Sequence, residues 1–164
     1  MLLKEAVGWE IEEVADIGLA AAMHDLGKIR IDESIMRKEG NLSPEEFDLM
    51  KKHTEFGAQI LTDSKQGMLQ MAGEIALYHH EKYDGSGYPR GLSGDDIPES
   101  ARIVAIADVY DSMTHDRAYR TALSEEEALK IMREGTGKHF DPRLLDCFFR
   151  SLPELRDIQK EITE

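Results

Sequence analysis

The stretch His79-His80-Glu81-Lys82-Tyr83-Asp84-Gly85-Ser86-Gly87-Tyr88-Pro89 sets two adjacent imidazoles directly before a loop holding two glycines and a proline. Neighbouring side chains on a helix point about 100° apart, so a regular helix cannot easily aim both rings at one metal ion. At a helix end the backbone is free to turn, and Gly85, Gly87 and Pro89 supply that turn. A helix over about Gly67 to His80 would deliver the pair to the loop. Surface histidines need no such arrangement.

Outward from this stretch, helix signals dominate. From about Glu10 to Leu26, the residues Ile11, Val14, Ala15, Ile17, Leu19, Ala22, Met23 and Leu26 form a broad apolar face. That pattern predicts a buried helix with Gly27 marking its end. Residues 28–43 read as a loop anchored by Ile29, Ile31 and Ile35. Ser43-Pro44-Glu45-Glu46 is a helix start, with Ser43 as N-cap, Pro44 in the first position and Glu46 closing a capping box. The helix it opens carries Phe47, Met50 and His53 and is expected to end near Leu61. Ser100 to Met113 reads as another helix, with Ile103, Val104, Ile106, Ala107 and Val109 mostly buried. Ser124-Glu125-Glu126-Glu127 repeats the capping box, and Asp141-Pro142 opens a last core helix with Leu144, Leu145, Phe148 and Phe149. No run of alternating strands is found. The expected fold is all-α, one compact helical bundle over 1–150, followed by a charged, loosely packed C-terminal tail or helix over 151–164.

The 164 residues suffice for one core, and 41% hydrophobic with 32% charged residues suits a soluble globular protein. A net charge of −13 argues against binding long nucleic acid. It leaves a small anionic substrate open, because bound divalent ions reverse the local sign of the field. The single Cys147 fits a reducing compartment. No apolar run approaches membrane-spanning length, and Lys4 and Glu5 follow the opening residues too soon for a signal peptide. The default location is cytoplasmic.

His24-Asp25 lies at the end of the first apolar segment, where a charged pair is costly unless it is partnered or binds metal. Alone, it reads as a core histidine in a salt bridge, and His53 alone reads as a packing residue. Together the chain offers four imidazoles (His24, His53, His79, His80) and two carboxylates (Asp25, Asp108) that could converge. Such a set suits two adjacent divalent ions of the Fe, Mn, Zn or Ni type rather than Mg or Ca. His115 and His139 lie outside the motifs and read as solvent-facing or structural, and Trp9, Tyr83 and Tyr119 as packing residues.

The segments His24-Asp25-Leu26-Gly27-Lys28-Ile29, Met50-Lys51-Lys52-His53, the long histidine–glycine stretch, and Ala107-Asp108-Val109-Tyr110-Asp111 closely resemble the HD-GYP subgroup of the HD phosphohydrolases. The resemblance runs from about Glu10 to Phe149. It implies hydrolysis of cyclic di-GMP to linear pGpG, and in some members on to GMP. It implies that His24, Asp25 and Asp108 serve one metal, that His53, His79 and His80 serve a second, and that Asp25 bridges them. It also implies that Lys28 lies by the scissile phosphate and that Tyr88, Arg117 and Arg120 lie near the substrate, although a lysine is common where Arg120 stands. Asp111 is a candidate for proton transfer or support of the ligands, against a plain surface carboxylate. The family's helix bearing a further histidine and glutamate would precede residue 1. The expectation is therefore an excised piece of a longer protein with an upstream sensory or receiver domain, the alternative being a natural short form. Rival functions are a weak or inactive module that senses the dinucleotide or docks a partner such as a diguanylate cyclase domain, and a general HD-type nucleotide phosphohydrolase. A homodimer is left open.

Overall fold

The computed structural model of the chain describes residues 8–61, 67–116 and 121–163. Helix α1 (Ile11–Ala21) opens at a capping box in which Glu10 and Glu13 satisfy each other's backbone amides. A 3-10 turn over Leu26–Arg30 and the single helical turn α2 (Glu33–Met36) follow. Helix α3 (Pro44–Lys51) starts as expected: Ser43 accepts from Glu46 N, and the Glu46 side chain reaches back to Ser43 N at 2.7 Å. The chain breaks at Lys52 and continues as α4 (His53–Leu61), so the expected helix to Leu61 is two helices. Then come α5 (Gly67–Tyr78), α6 (Glu99–Thr114), α7 (Glu125–Glu134) with the expected Ser124 capping box, and α8 (Pro142–Thr163). The described residues form no strand, only an isolated bridge between Thr136 and Phe140. Among them no helix is long and apolar enough to cross a membrane.

Helix α5 packs against α1, α4 and α6. Its contact face carries Ala72, Ile75 and Ala76, all fully buried, and these meet Ile17 and Ala20 of α1, Leu61 of α4 and Val104 of α6. Small residues at such crossings let helix axes approach closely. The opposite side of α6, through Ile106, Tyr110 and Met113, joins a second cluster with Ala128 and Met132 of α7 and Leu144, Leu145 and Leu152 of α8. Burial on two sides explains why α6 lacks a clean polar face. A buried ion pair between Arg102 and Asp141 at 2.5 Å ties α6 to the start of α8, and Asp141 also accepts from Arg143 N and Leu144 N.

The structure departs from the sequence pattern at several points. Helix α1 ends at Ala21 rather than near Leu26, and it is buried on one side only: Ile11 is 68% and Leu19 63% exposed. Ile29 does not anchor the following segment, being 78% exposed. Ala107 is exposed as well. Gly27 does not simply end a helix. A Cβ there would lie 1.9 Å from His53 O and 2.4 Å from Gly57 N, so only glycine lets the 24–28 turn lie on α4. Helix α8 crosses residue 150 without interruption and passes through Pro153, with Leu152 buried and Leu155 packed on the second cluster.

Candidate metal centre

Three of the four candidate histidines stand at helix C-termini. His24 follows the end of α1 and its Nδ1 lies 2.7 Å from Ala21 O. His53 follows α3 with Nδ1 2.7 Å from Met50 O, and His79 follows α5 with Nδ1 2.9 Å from Ile75 O. Each of these carbonyls already accepts one backbone N–H at the helix end, and the ring adds a donor to its second lone pair. A carbonyl only accepts, so on His53 and His79, whose Nε2 atoms have no hydrogen-bond partner, Nδ1 carries the proton and Nε2 presents a lone pair. Helix C-termini also bear partial negative charge, so three of them together favour a cation.

The lone pairs meet at Asp25. Its Oδ1 lies 3.4 Å from His53 Nε2 and 3.9 Å from His79 Nε2. These are ion-pair distances only for protonated rings, and the rings are neutral. Burial, together with the neighbouring imidazoles, pushes His79 down to about 4 and His80 to about 2, and burial lowers His53 as well. Asp25 Oδ1, His53 Nε2 and His79 Nε2 are therefore buried acceptors facing acceptors, with no hydrogen-bond partner. Donor atoms of Asp25, His53, His79 and His80 all lie within 4.8 Å of one another. Acceptors left unpaired in this way are unfavourable by themselves, and a divalent cation with nitrogen and oxygen ligands would satisfy them all.

The other oxygen of Asp25 faces a second group. Oδ2 lies 3.4 Å from His24 Nε2, which is in turn 3.8 Å from Asp108 Oδ1. Lys28 Nζ donates to the same oxygen. Burial works to raise the Asp25 pKa, but hydrogen bonds from His24 and Lys28 outweigh it and hold the carboxyl well below the usual range. His24 is raised, mainly through its hydrogen bond with Asp25. Of the six candidate ligands, His24, His53, His79 and His80 gather around the Asp25 carboxylate, and Asp108 adjoins the group through His24. Tyr88 joins them, stacked on the His80 ring at 4.8 Å and 29°. Asp111 lies outside this group, two-thirds exposed and paired with His115 at 3.1 Å. Arg117 and Arg120 lie outside the described residues.

The model of the HD domain family matches residues 3–144. The chain belongs to that family. The HD domain chain is 43% identical over 157 residues to the cyclic di-GMP phosphodiesterase response regulator RpfG of Xanthomonas campestris, covering 96% of this chain and 42% of that protein. It is 42% identical over 158 residues to a cyclic di-GMP phosphodiesterase of Thermotoga maritima, covering 96% and 43%. A 3′3′-cGAMP-specific phosphodiesterase of Vibrio cholerae is 42% identical over 145 residues, covering 88% and 28%. A HDG“Y”P protein of Bdellovibrio bacteriovorus superposes with a TM-score of 0.68 at 25% identity, covering 93% of this chain and 48% of that one. The chain therefore spans less than half the length of these relatives. HD domain phosphohydrolases bind divalent metal ions, and the Asp25–His53–His79–His80 cluster fits one.

Sequence reasoning missed the residue that holds the HD domain's glycine loop. Glu81 is 2% exposed, and its carboxylate accepts from Arg90 N at 2.6 Å and Leu92 N at 3.1 Å. Gly87 lies so close beneath that an added Cβ would fall 2.3 Å from Lys82 N. Together they fold the loop back so that Tyr88 covers His80, with Tyr88 N donating to His80 O. The available signal was a carboxylate set between a histidine pair and a glycine loop.

Proposed function

We propose that this chain hydrolyses a phosphodiester bond of a cyclic dinucleotide, cyclic di-GMP first, giving linear pGpG. The observation that carries the reading is the set of orphaned buried acceptors on Asp25, His53 and His79. Asp25, His53, His79 and His80 would hold one divalent ion, and His24, Asp25 and Asp108 a second, of the Fe or Mn type with Zn or Ni as alternatives. Such ions supply Lewis acidity and bring the ionisation of water towards neutral pH.

The chain's own groups do the rest of the work in this reading. One water adds to phosphorus and the bond from phosphorus to the ribose 3′-oxygen breaks, leaving a 3′-hydroxyl and a 5′-phosphate. Lys28, already on Asp25, lies where a second cation can neutralise charge growing on a non-bridging oxygen. Burial, with the charges of Asp25 and Asp108, raises the Tyr88 phenol, so it keeps its proton and can donate to a phosphate oxygen. Arg117 and Arg120 belong to the same proposal as clamps for the second phosphate. The 3′3′-cGAMP-specific relative favours a second substrate, the hybrid cyclic dinucleotide. The response-regulator relative supports an upstream receiver or sensory domain in a cytoplasmic signalling protein.

The test is metal analysis of protein purified without oxygen, with turnover of cyclic di-GMP and 3′3′-cGAMP on the same sample. Turnover should vanish on chelation and return with a divalent ion. Asp25→Asn and His80→Ala should each lose ion and at least about a hundredfold in kcat. Metal-loaded protein that binds the dinucleotide without cleaving it would overturn the reading in favour of a sensing module.

A further inference from the structure

Beside the cluster stands an aromatic wall that the metal chemistry does not use. Phe47, on α3, is 45% exposed. Its ring meets Tyr88 edge-on, centroids 6.1 Å apart at 82°, and Tyr88 in turn stacks on His80. Lys51, one turn further along α3, places Nζ 5.2 Å from the Phe47 centroid and 6.0 Å from the Tyr88 centroid. Its other contact is Asp48 Oδ1 at 2.5 Å, a pair whose carboxylate is 70% exposed and whose rearrangement costs little. An exposed phenyl ring on a short helix adds little to the core, so its place against Tyr88, which covers the candidate ligand His80, asks for another account.

We propose that Phe47 and Lys51 form the nucleobase subsite of this centre, with Phe47 as the stacking face and Lys51 reading guanine. This deepens the cyclic-dinucleotide reading and rests on it. Stacking on an aromatic face accepts any base. Discrimination needs the ammonium, which only donates. Guanine offers it two acceptors, O6 and N7, whereas adenine sets an amino donor beside N7. Tyr88 provides continuity: it borders His80 on one side and Phe47 on the other, so a base on Phe47 stays within reach of a phosphate at the cluster.

The experiment measures KM and kcat with cyclic di-GMP, and calorimetric binding of GMP and AMP, on the full chain loaded with Mn²⁺. Phe47→Ala and Phe47→Leu should raise KM about ten- to a hundredfold, with kcat within about threefold, and Phe47→Tyr should restore it. Lys51→Met should weaken GMP about tenfold and leave AMP in place, collapsing the guanine preference. Metal content should stay level in all four variants. A KM unmoved in both Phe47→Ala and Phe47→Leu overturns the subsite. Equal weakening of GMP and AMP by Lys51→Met overturns the guanine reading. Absence of turnover by the unaltered chain defeats the phosphodiesterase reading alone, because the GMP and AMP titrations still decide the subsite.

Discussion

Replacing Gly27 with alanine should damage the metal centre without touching a ligand. The new Cβ would lie 1.9 Å from His53 O, where ordinary contact begins at 3.4 Å, so the turn must retreat by about 1.5 Å. The obstacle is the α4 backbone, His53 O and Gly57 N, and no side chain is there to swing away. Asp25 sits two residues upstream and has its Oδ1 only 3.4 Å from His53 Nε2. A displacement of that size pulls the shared carboxylate out of register with the imidazoles. Loss of support around a ligand lowers metal affinity about 10- to 100-fold. Overpacking costs about 1–3 kcal/mol, which for a chain of this size lowers Tm by roughly 2–12 °C. The assay is calorimetric titration of Mn²⁺ into chelator-stripped protein, with thermal melting followed by circular dichroism. Gly57→Ala is the comparison: its Cβ meets Ala76 Cβ at 3.1 Å, a crowded contact relieved when the neighbour gives by a few tenths of an ångström. Mn²⁺ affinity within about twofold for Gly27→Ala, with Tm within about 1 °C, would refute the reasoning.

Stability of the metal-free protein should fall with acidification. An unfolded His79 takes up a proton near 6.5, whereas the buried folded ring resists until about 4, so the stabilisation present at neutral pH drains away through that window. His79 alone accounts for about 2 kcal/mol between about pH 7.5 and 5; an NMR midpoint for its ring at 6 or above would contradict this. Glu81→Gln keeps one acceptor for the Arg90 and Leu92 amides and sets an amide donor against the other, at about 1–3 kcal/mol. Proteolysis within the 85–92 loop should quicken, and an unaltered cleavage rate would show that the carboxylate does not hold the loop. Gly18 lies inside α1 with nothing within 4 Å of an added Cβ, so Gly18→Ala should stabilise by up to about 1 kcal/mol. A lower Tm would mean that α1 is covered there.

What the sequence made legible was local chemistry. The Ser43 and Ser124 capping boxes were readable because each is closed by residues three apart. His24, Asp25 and Asp108 stood out as candidates because they interrupt apolar segments, whereas His53, His79 and His80 were singled out by the motifs they lie in. Where α1 ends was not readable, because its apolar pattern continues to Leu26 while the backbone turns after Ala21, placing the His24 ring on Ala21 O. The break at Lys52 has the same character, for it brings the His53 ring back onto Met50 O. Periodicity records which residues are apolar and is silent on a carbonyl that recruits a side chain. Gly27 and Glu81 escaped for a related reason: each acts on a backbone segment distant in the chain, and neither contact leaves a pattern in neighbouring residues.

The acidic character of the chain and the proposed anionic substrate are reconciled at Asp25. The proposed ligand set contains two carboxylates, Asp25 and Asp108, while burial keeps His53, His79 and His80 neutral. Two divalent ions on two carboxylates would leave the pocket positive, and Lys28 would add to that charge. Had the imidazoles been exposed and partly protonated, each ion would have had to displace protons, and affinity would fall steeply below neutral pH. Burial removes that competition on the His53–His79–His80 side. His24, whose pKa is raised by Asp25, retains it on the other. The two halves should therefore load differently with pH, the three-histidine half filling first as acid solutions are brought towards neutrality. Simultaneous loading of both at every pH would show that Asp25 does not divide the site in this way.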